Sequence, residues 1–149
     1  INFMAKEELF DIPVLKNLFL ALKSYPVKRG KFDRAAINKT LNYLKNNEIV
    51  ALFPEGTRKK KSEAEKPYRG VALIAQKGNA PIIPIAILGT EKIFIKKRYI
   101  PYFTSITVKI GKPIFVNRSE KEHKEEQIVT SERVMQIIND LINEEKNEN

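Results

Sequence analysis

Apolar residues recur along this chain in two alternating rhythms, short continuous or period-two runs and helical stripes. Residues 2–6 and 25–29 read as short strands, and Leu15, Leu18, Phe19 and Leu22 mark a helix over 13–22 between them. Asp33 is the expected N-cap of a helix reaching about Asn46, with Ile37, Leu41 and Leu44 on one face. Ile49 to Phe53 then reads as a buried strand. A polar loop over 59–67 leads to a helix from Tyr68 to Lys77, with Gly78 as its expected C′ residue. Pro81 to Leu88 is mostly apolar and reads as another buried strand. Pro84 lacks an N–H and is expected there at an edge, a bulge or the end of the ladder. Ile106 to Ile110 alternates strictly and predicts a half-buried strand. Ser131 is the expected cap of a last helix carrying Val134, Ile137, Ile138, Leu141 and Ile142 on one face, with 144–149 frayed. Alternating strands and helices predict an α/β fold with a largely parallel sheet flanked by helices.

Composition narrows the chemistry. The absence of cysteine excludes a disulfide framework, a thiolate nucleophile and cysteine-bound metal. No apolar run approaches the 18 or so residues of a spanning helix, so membrane contact through this portion is expected to be peripheral. The formal charge of +9 is uneven: residues 1–112 hold 22 Lys/Arg against 9 Asp/Glu, whereas residues 113–149 hold 5 against 9. A cationic body of this kind suits anionic lipid headgroups, an acidic protein or nucleic acid, and no nucleic-acid recognition motif accompanies the charge.

The densest chemistry is Phe53-Pro54-Glu55-Gly56-Thr57-Arg58. A buried strand opens here into a carboxylate, a glycine, a hydroxyl and a guanidinium. Ligands of α/β folds bind at such strand ends. Glycine allows close backbone approach, and arginine offers a planar fork that matches phosphate oxygens. The segment reads as an anion site, with Arg58 as the first candidate ligand. Gly56 supplies backbone approach or a plain turn, and Thr57 donates to the anion or caps the turn. Glu55 either orients Arg58, accepts a substrate hydroxyl or serves as a salt-bridge partner.

FPEGTR also resembles a hallmark of the glycerophospholipid acyltransferase family, which includes the lysophosphatidic acid acyltransferases. Three further segments are similar to that family's, in the same order. They are Phe3-Met4-Ala5-Lys6-Glu7-Glu8-Leu9-Phe10, Tyr25-Pro26-Val27-Lys28-Arg29-Gly30 and Ala80-Pro81-Ile82-Ile83-Pro84-Ile85. The resemblance runs from residue 1 to about residue 112 and implies a glycerol-3-phosphate acyltransferase-like fold. It implies that Arg29 contacts the glycerol-phosphate acceptor, that a basic residue such as Lys66 assists the phosphate, and that Pro84 shapes the acyl-side wall. The family often has glycine where this chain has Lys23, and serine where it has Lys59.

The family's Asn-His, four residues, Asp motif lies upstream of the first of these segments and has no counterpart here. The one histidine is His123, near the acidic tail. The chain is therefore expected to be the C-terminal portion of a longer enzyme, one partial domain over 1–149 with motifs in 1–112 and a tail over 113–149. No catalytic residue and no metal ligand is expected within it, and no activity from it alone. The resemblance implies acyl transfer from acyl-CoA or acyl-ACP to lysophosphatidate or a related glycerol phosphate, without a cofactor. Expected partners are the lysophospholipid, the acyl thioester, an anionic membrane surface at the cytoplasmic face and an acyl carrier protein as candidate donor. Lys96 to Phe103, three cations beside an aromatic tip, suits a membrane interface or a loop folded onto the domain. The alternative is a non-catalytic module that binds anionic lipid.

Overall fold

The computed structural model describes residues 1–28, 33–54, 69–90, 104–117 and 124–148. Strand β1 (Asn2–Lys6) lies between β2 (Ser24–Val27) and β3 (Val50–Ala51), all parallel. A 3-10 turn, Glu7–Phe10, and helix α1 (Pro13–Ala21) join β1 to β2, and α2 (Arg34–Lys45) joins β2 to β3. Helix α3 (Gly70–Gly78) follows, then β4 (Ile85–Leu88) and β5 (Thr107–Ile110), which pair antiparallel as a second ladder, and α4 (Lys124–Glu148). The expected α/β fold with a parallel sheet is thus present. Its fourth and fifth strands form a separate pair in which β4 runs Ile85 against Ile110 and Leu88 against Thr107.

Polar side chains fasten the parallel sheet. Asn2 is buried, and its amide donates to Glu48 Oε2 at 3.1 Å and to the Ile49 carbonyl at 3.3 Å, which ties β1 to the entry of β3. Tyr25 is 1% exposed, with its hydroxyl 2.6 Å from Thr40 Oγ1 on α2. Thr40 itself donates to the Ala36 carbonyl, so Tyr25 is the donor of the pair. Burial pushes the Tyr25 phenol above its ordinary range, against the lowering effect of Thr40.

Burial organises the rest. Helix α3 is apolar on nearly every side and buries Val71 through Gln76 without interruption, as a helix enclosed by neighbours does. It packs between α2 and α4. The core consists of Val71, Ala75, Ile82, Ile114 and Val134, with Leu52, Val116, Ile137 and Ile138 packed against it. Leu52 carries the chain beyond β3 into this core.

Five expectations change. The two strands expected to be buried are not: β3 is half-buried between exposed Ile49 and Phe53, and in the 81–88 stretch Ile83, Ile85 and Ile87 are exposed. Gly78 does not cap α3; the left-handed C-cap is Asn79, with φ 48°. A Cβ on Gly78 would stand 2.5 Å from Leu44 Cδ1, so the glycine is there for the close approach of α3 to α2. Ser131 does not start the last helix, which begins at Lys124 and runs through Glu148; the serine is fully buried inside it. The apolar residues of β5 face outward: Ile106, Val108 and Ile110 are 50%, 54% and 68% exposed. Thr107 and Lys109 lie on the side of buried Ala86, next to α4, where Lys109 pairs with Glu145 at 2.9 Å.

Candidate functional site at the carboxyl edge of the parallel sheet

The strands of a parallel sheet all deliver their carboxyl ends to one edge, and β1, β2 and β3 do so here. Lys6 at the end of β1 lies opposite Val27 at the end of β2, and Ala51 lies opposite Phe3. Pro54 is as far beyond Ala51 as Lys6 is beyond Phe3. Phe53 is exposed while Leu52 packs into the core, the alternation of an extended chain. The segment entering Arg29 and the segment entering Glu55 therefore leave the sheet at the same edge, on either side of β1. Arg29, Glu55, Gly56, Thr57, Arg58 and Lys66 themselves lie outside the described residues, as do His123 and 96–103.

Asp33 frames the Arg29 segment at both of its ends. Its Oδ2 accepts from the Lys28 backbone N–H at 2.9 Å and its Oδ1 from the Ala36 N–H at 3.0 Å. One carboxylate thus caps α2, as its sequence position predicts, and also closes the stretch between β2 and α2. The Lys28 and Ala36 donors hold the Asp33 carboxyl below the usual carboxylate range. Tyr25, three residues before Lys28, anchors the same strand to α2. Sequence reasoning found the cap but not the second bond, and read Tyr25 only as part of a motif. Its signal was an aromatic on a strand opposite a helix that carries a lone threonine on its buried face.

Among the described residues, the cations at this edge lie beside carboxylates. Lys6 pairs with Glu8 at 2.9 Å, and Lys28 approaches Glu7 at 3.8 Å. These side chains are 43–64% exposed and contribute little to stability. Beyond the FPEGTR segment the chain returns as α3, with Arg69 at its N-cap.

Pro84 is described, and it is fully buried. It ends the extended stretch just before β4, where a residue without an N–H is tolerated, and its carbonyl accepts from Gly111 N–H at 2.8 Å. That bond fixes Pro84 between the two ladder ends.

The parallel sheet, its order and the motifs at its carboxyl edge define an acyltransferase-type fold, and comparison with known proteins agrees. The family profile described as Acyltransferase matches residues 1–88, and the chain belongs to that family. The chain is 38% identical over 89 residues to a 1-acyl-sn-glycerol-3-phosphate acyltransferase of Bacillus subtilis (strain 168), covering 60% of this chain and 44% of that protein. The namesake enzyme of Saccharomyces cerevisiae is 34% identical over 124 residues, 79% of this chain and 41% of its own. Among solved structures, the 1-acyl-sn-glycerophosphate (LPA) acyltransferase PlsC from Thermotoga maritima superposes with a TM-score of 0.66 at 26% identity. That match covers 97% of this chain and 56% of that one. The chain thus spans less than half the length of these curated relatives.

Proposed function

We propose that this chain supplies the phosphate-binding half of a lysophosphatidate acyltransferase of phospholipid biosynthesis. The observation that supports the reading is that the chain entering Arg29 and the chain entering Glu55 leave the parallel sheet at one edge. Two guanidinium groups there grip the acceptor phosphate from two sides, and Gly56 and Thr57 add a backbone N–H and a hydroxyl. Glu55 orients Arg58 or accepts a hydroxyl of the acceptor. Lys66 and the N-terminal end of the α3 dipole add positive potential. Pro84, itself buried, shapes the acyl-side wall from behind rather than by contact with the acyl chain.

The reaction is base-assisted acyl transfer. The acceptor hydroxyl oxygen bonds to the thioester carbonyl carbon, the carbon–sulfur bond breaks, and the thiolate of coenzyme A or acyl carrier protein leaves with a proton. The histidine that would take the hydroxyl proton in the family's motif has no counterpart in this sequence. The residues here contribute positioning, which lowers the entropic part of the barrier. No metal or cofactor enters this scheme. Among the described residues no helix is long and apolar enough to cross a membrane, and membrane contact is proposed as peripheral, at the cytoplasmic face.

Titration with lysophosphatidate, read by calorimetry and by thioester release, tests the proposal. Binding without turnover is expected, with Arg58→Lys weakening it by about tenfold or more because the fork is lost. Turnover by the pure chain, or binding indifferent to Arg58→Ala, overturns it. The lone histidine outside the motif supports a second reading, a non-catalytic module for anionic lipid. That reading holds if restoring a His-Asp-bearing upstream segment still yields no turnover.

A further inference from the structure

A groove of about 750 Å³ runs between α4 and the turn after β5, and it opens to solvent. Arg133, Ile137 and Leu141 follow one another on one face of α4 and form one wall. The turn from Gly111 to Phe115 forms the other. At Gly111 the turn lies against the helix, with the position of a Cβ 3.4 Å from Leu141 Cδ1 and 3.5 Å from Ile137 Cγ2, ordinary contact distances. Ile114 is buried at the floor, while Phe115 is 83% exposed.

Among the described residues that line the groove, the charges have one sign: Lys112 and Arg133 are both exposed, and none of these residues is a carboxylate. Neither cation has an acidic partner among the described residues. Elsewhere on the same elements the pattern differs, since Lys109 of β5 is neutralised by Glu145 of α4. A concave aliphatic channel of this size with two uncompensated cations has the chemistry of a small-ligand site that takes an apolar body and an anionic end.

We propose that this groove binds a single-chain anionic amphiphile as a monomer. Its alkyl chain lies along Ile114, Ile137 and Leu141, and its head sits between Lys112 and Arg133. A headgroup alone would leave the aliphatic walls unused, a neutral chain would leave the cations unused, and a flat bilayer surface does not fit a channel. The groove keeps this chemistry whether or not the chain takes part in acyl transfer.

The test is a titration of the chain with dodecyl phosphate below its micelle-forming concentration, followed by backbone amide NMR and calorimetry. One saturable site is expected, with shifts centred on 111–115 and 133–141. Affinity should rise from octyl to dodecyl phosphate by up to about fourfold per methylene. The exposed double variant Lys112→Gln/Arg133→Gln should fold normally and bind about tenfold more weakly or worse. Equal binding of inorganic phosphate or dodecyl maltoside overturns the proposal. So does binding that appears only with micelles or anionic vesicles, which would assign the cations to a membrane surface. Shifts centred instead on Ile85, Ile87 and Val108 would overturn it in favour of general adsorption to the exposed apolar face of the β4–β5 pair.

Discussion

The parallel sheet is fastened by hydrogen bonds that Asn2 and Tyr25 donate and Asp33 accepts, whereas α3, α4 and the antiparallel pair are held by burial of Val71, Ala75, Ile82, Ile114 and Val134. The two modes suit what each region has to do. A core of aliphatic residues supplies most of the free energy but tolerates small adjustments. Directional bonds contribute less each, and they fix where a strand end points. The strands that lead to the candidate site are short, with β3 only two residues long. Their aim therefore rests on the clamps at their ends and on Leu52, which packs β3's continuation against the core.

Substitutions in the two regions should separate these roles. The largest effect is expected for Ile82→Ala, which opens a cavity at the centre of the core and should cost roughly 2–5 kcal/mol in urea unfolding. All amide protons should lose protection together. Gly78→Leu should cost about 1–3 kcal/mol, because the new side chain overlaps Leu44 and forces α3 away from α2. Tyr25→Phe should cost about 1 kcal/mol. Faster amide exchange should then be confined to β2 and α2, with the α3–α4 core untouched. If Tyr25→Phe loosened the core as much as Ile82→Ala, the separation of roles would fail.

Asp33 gives the smallest effect on stability and the sharpest on position. Asp33→Ala should cost about 1 kcal/mol through the lost cap. It should also free the Lys28 N–H and weaken lysophosphatidate binding through the adjoining Arg29. Its pH signature follows from the depressed carboxyl. The contribution is present above the unfolded carboxyl pKa, about 3.9, and is lost as pH falls through the lower folded value. Stability measured across that acid limb should fall less steeply in Asp33→Ala than in the parent, by a small margin because the group is close to solvent.

Much of the fold was legible along the chain. The extents of β1, α1 and α2 match the periodicity closely, and the Asp33 cap was readable because a cap is a bond between residues three apart. Pro84 falls at the end of its ladder, as its missing N–H requires. Three things were not legible. Strict alternation in 106–110 says that one face is apolar, but it does not say which face meets α4. A serine before an apolar face reads as a cap, yet Ser131 and Gln127 sit inside the α3–α4 interface, where Gln127 donates to Gln76 at 2.9 Å. A glycine at a helix end reads as a C′ residue, whereas Gly78 is shaped by Leu44 across the gap to α2.

By itself the sequence determined the class of fold and the order of its elements, because periodicity, capping and turn chemistry act over a few neighbouring residues. Only the tertiary structure decided that the chain entering Arg29 and the chain entering Glu55 leave one edge, that Asp33 accepts from Lys28 as well as capping α2, and that Lys112 and Arg133 share a groove. Each of these depends on which residue stands opposite, at separations where the chain carries no local signal.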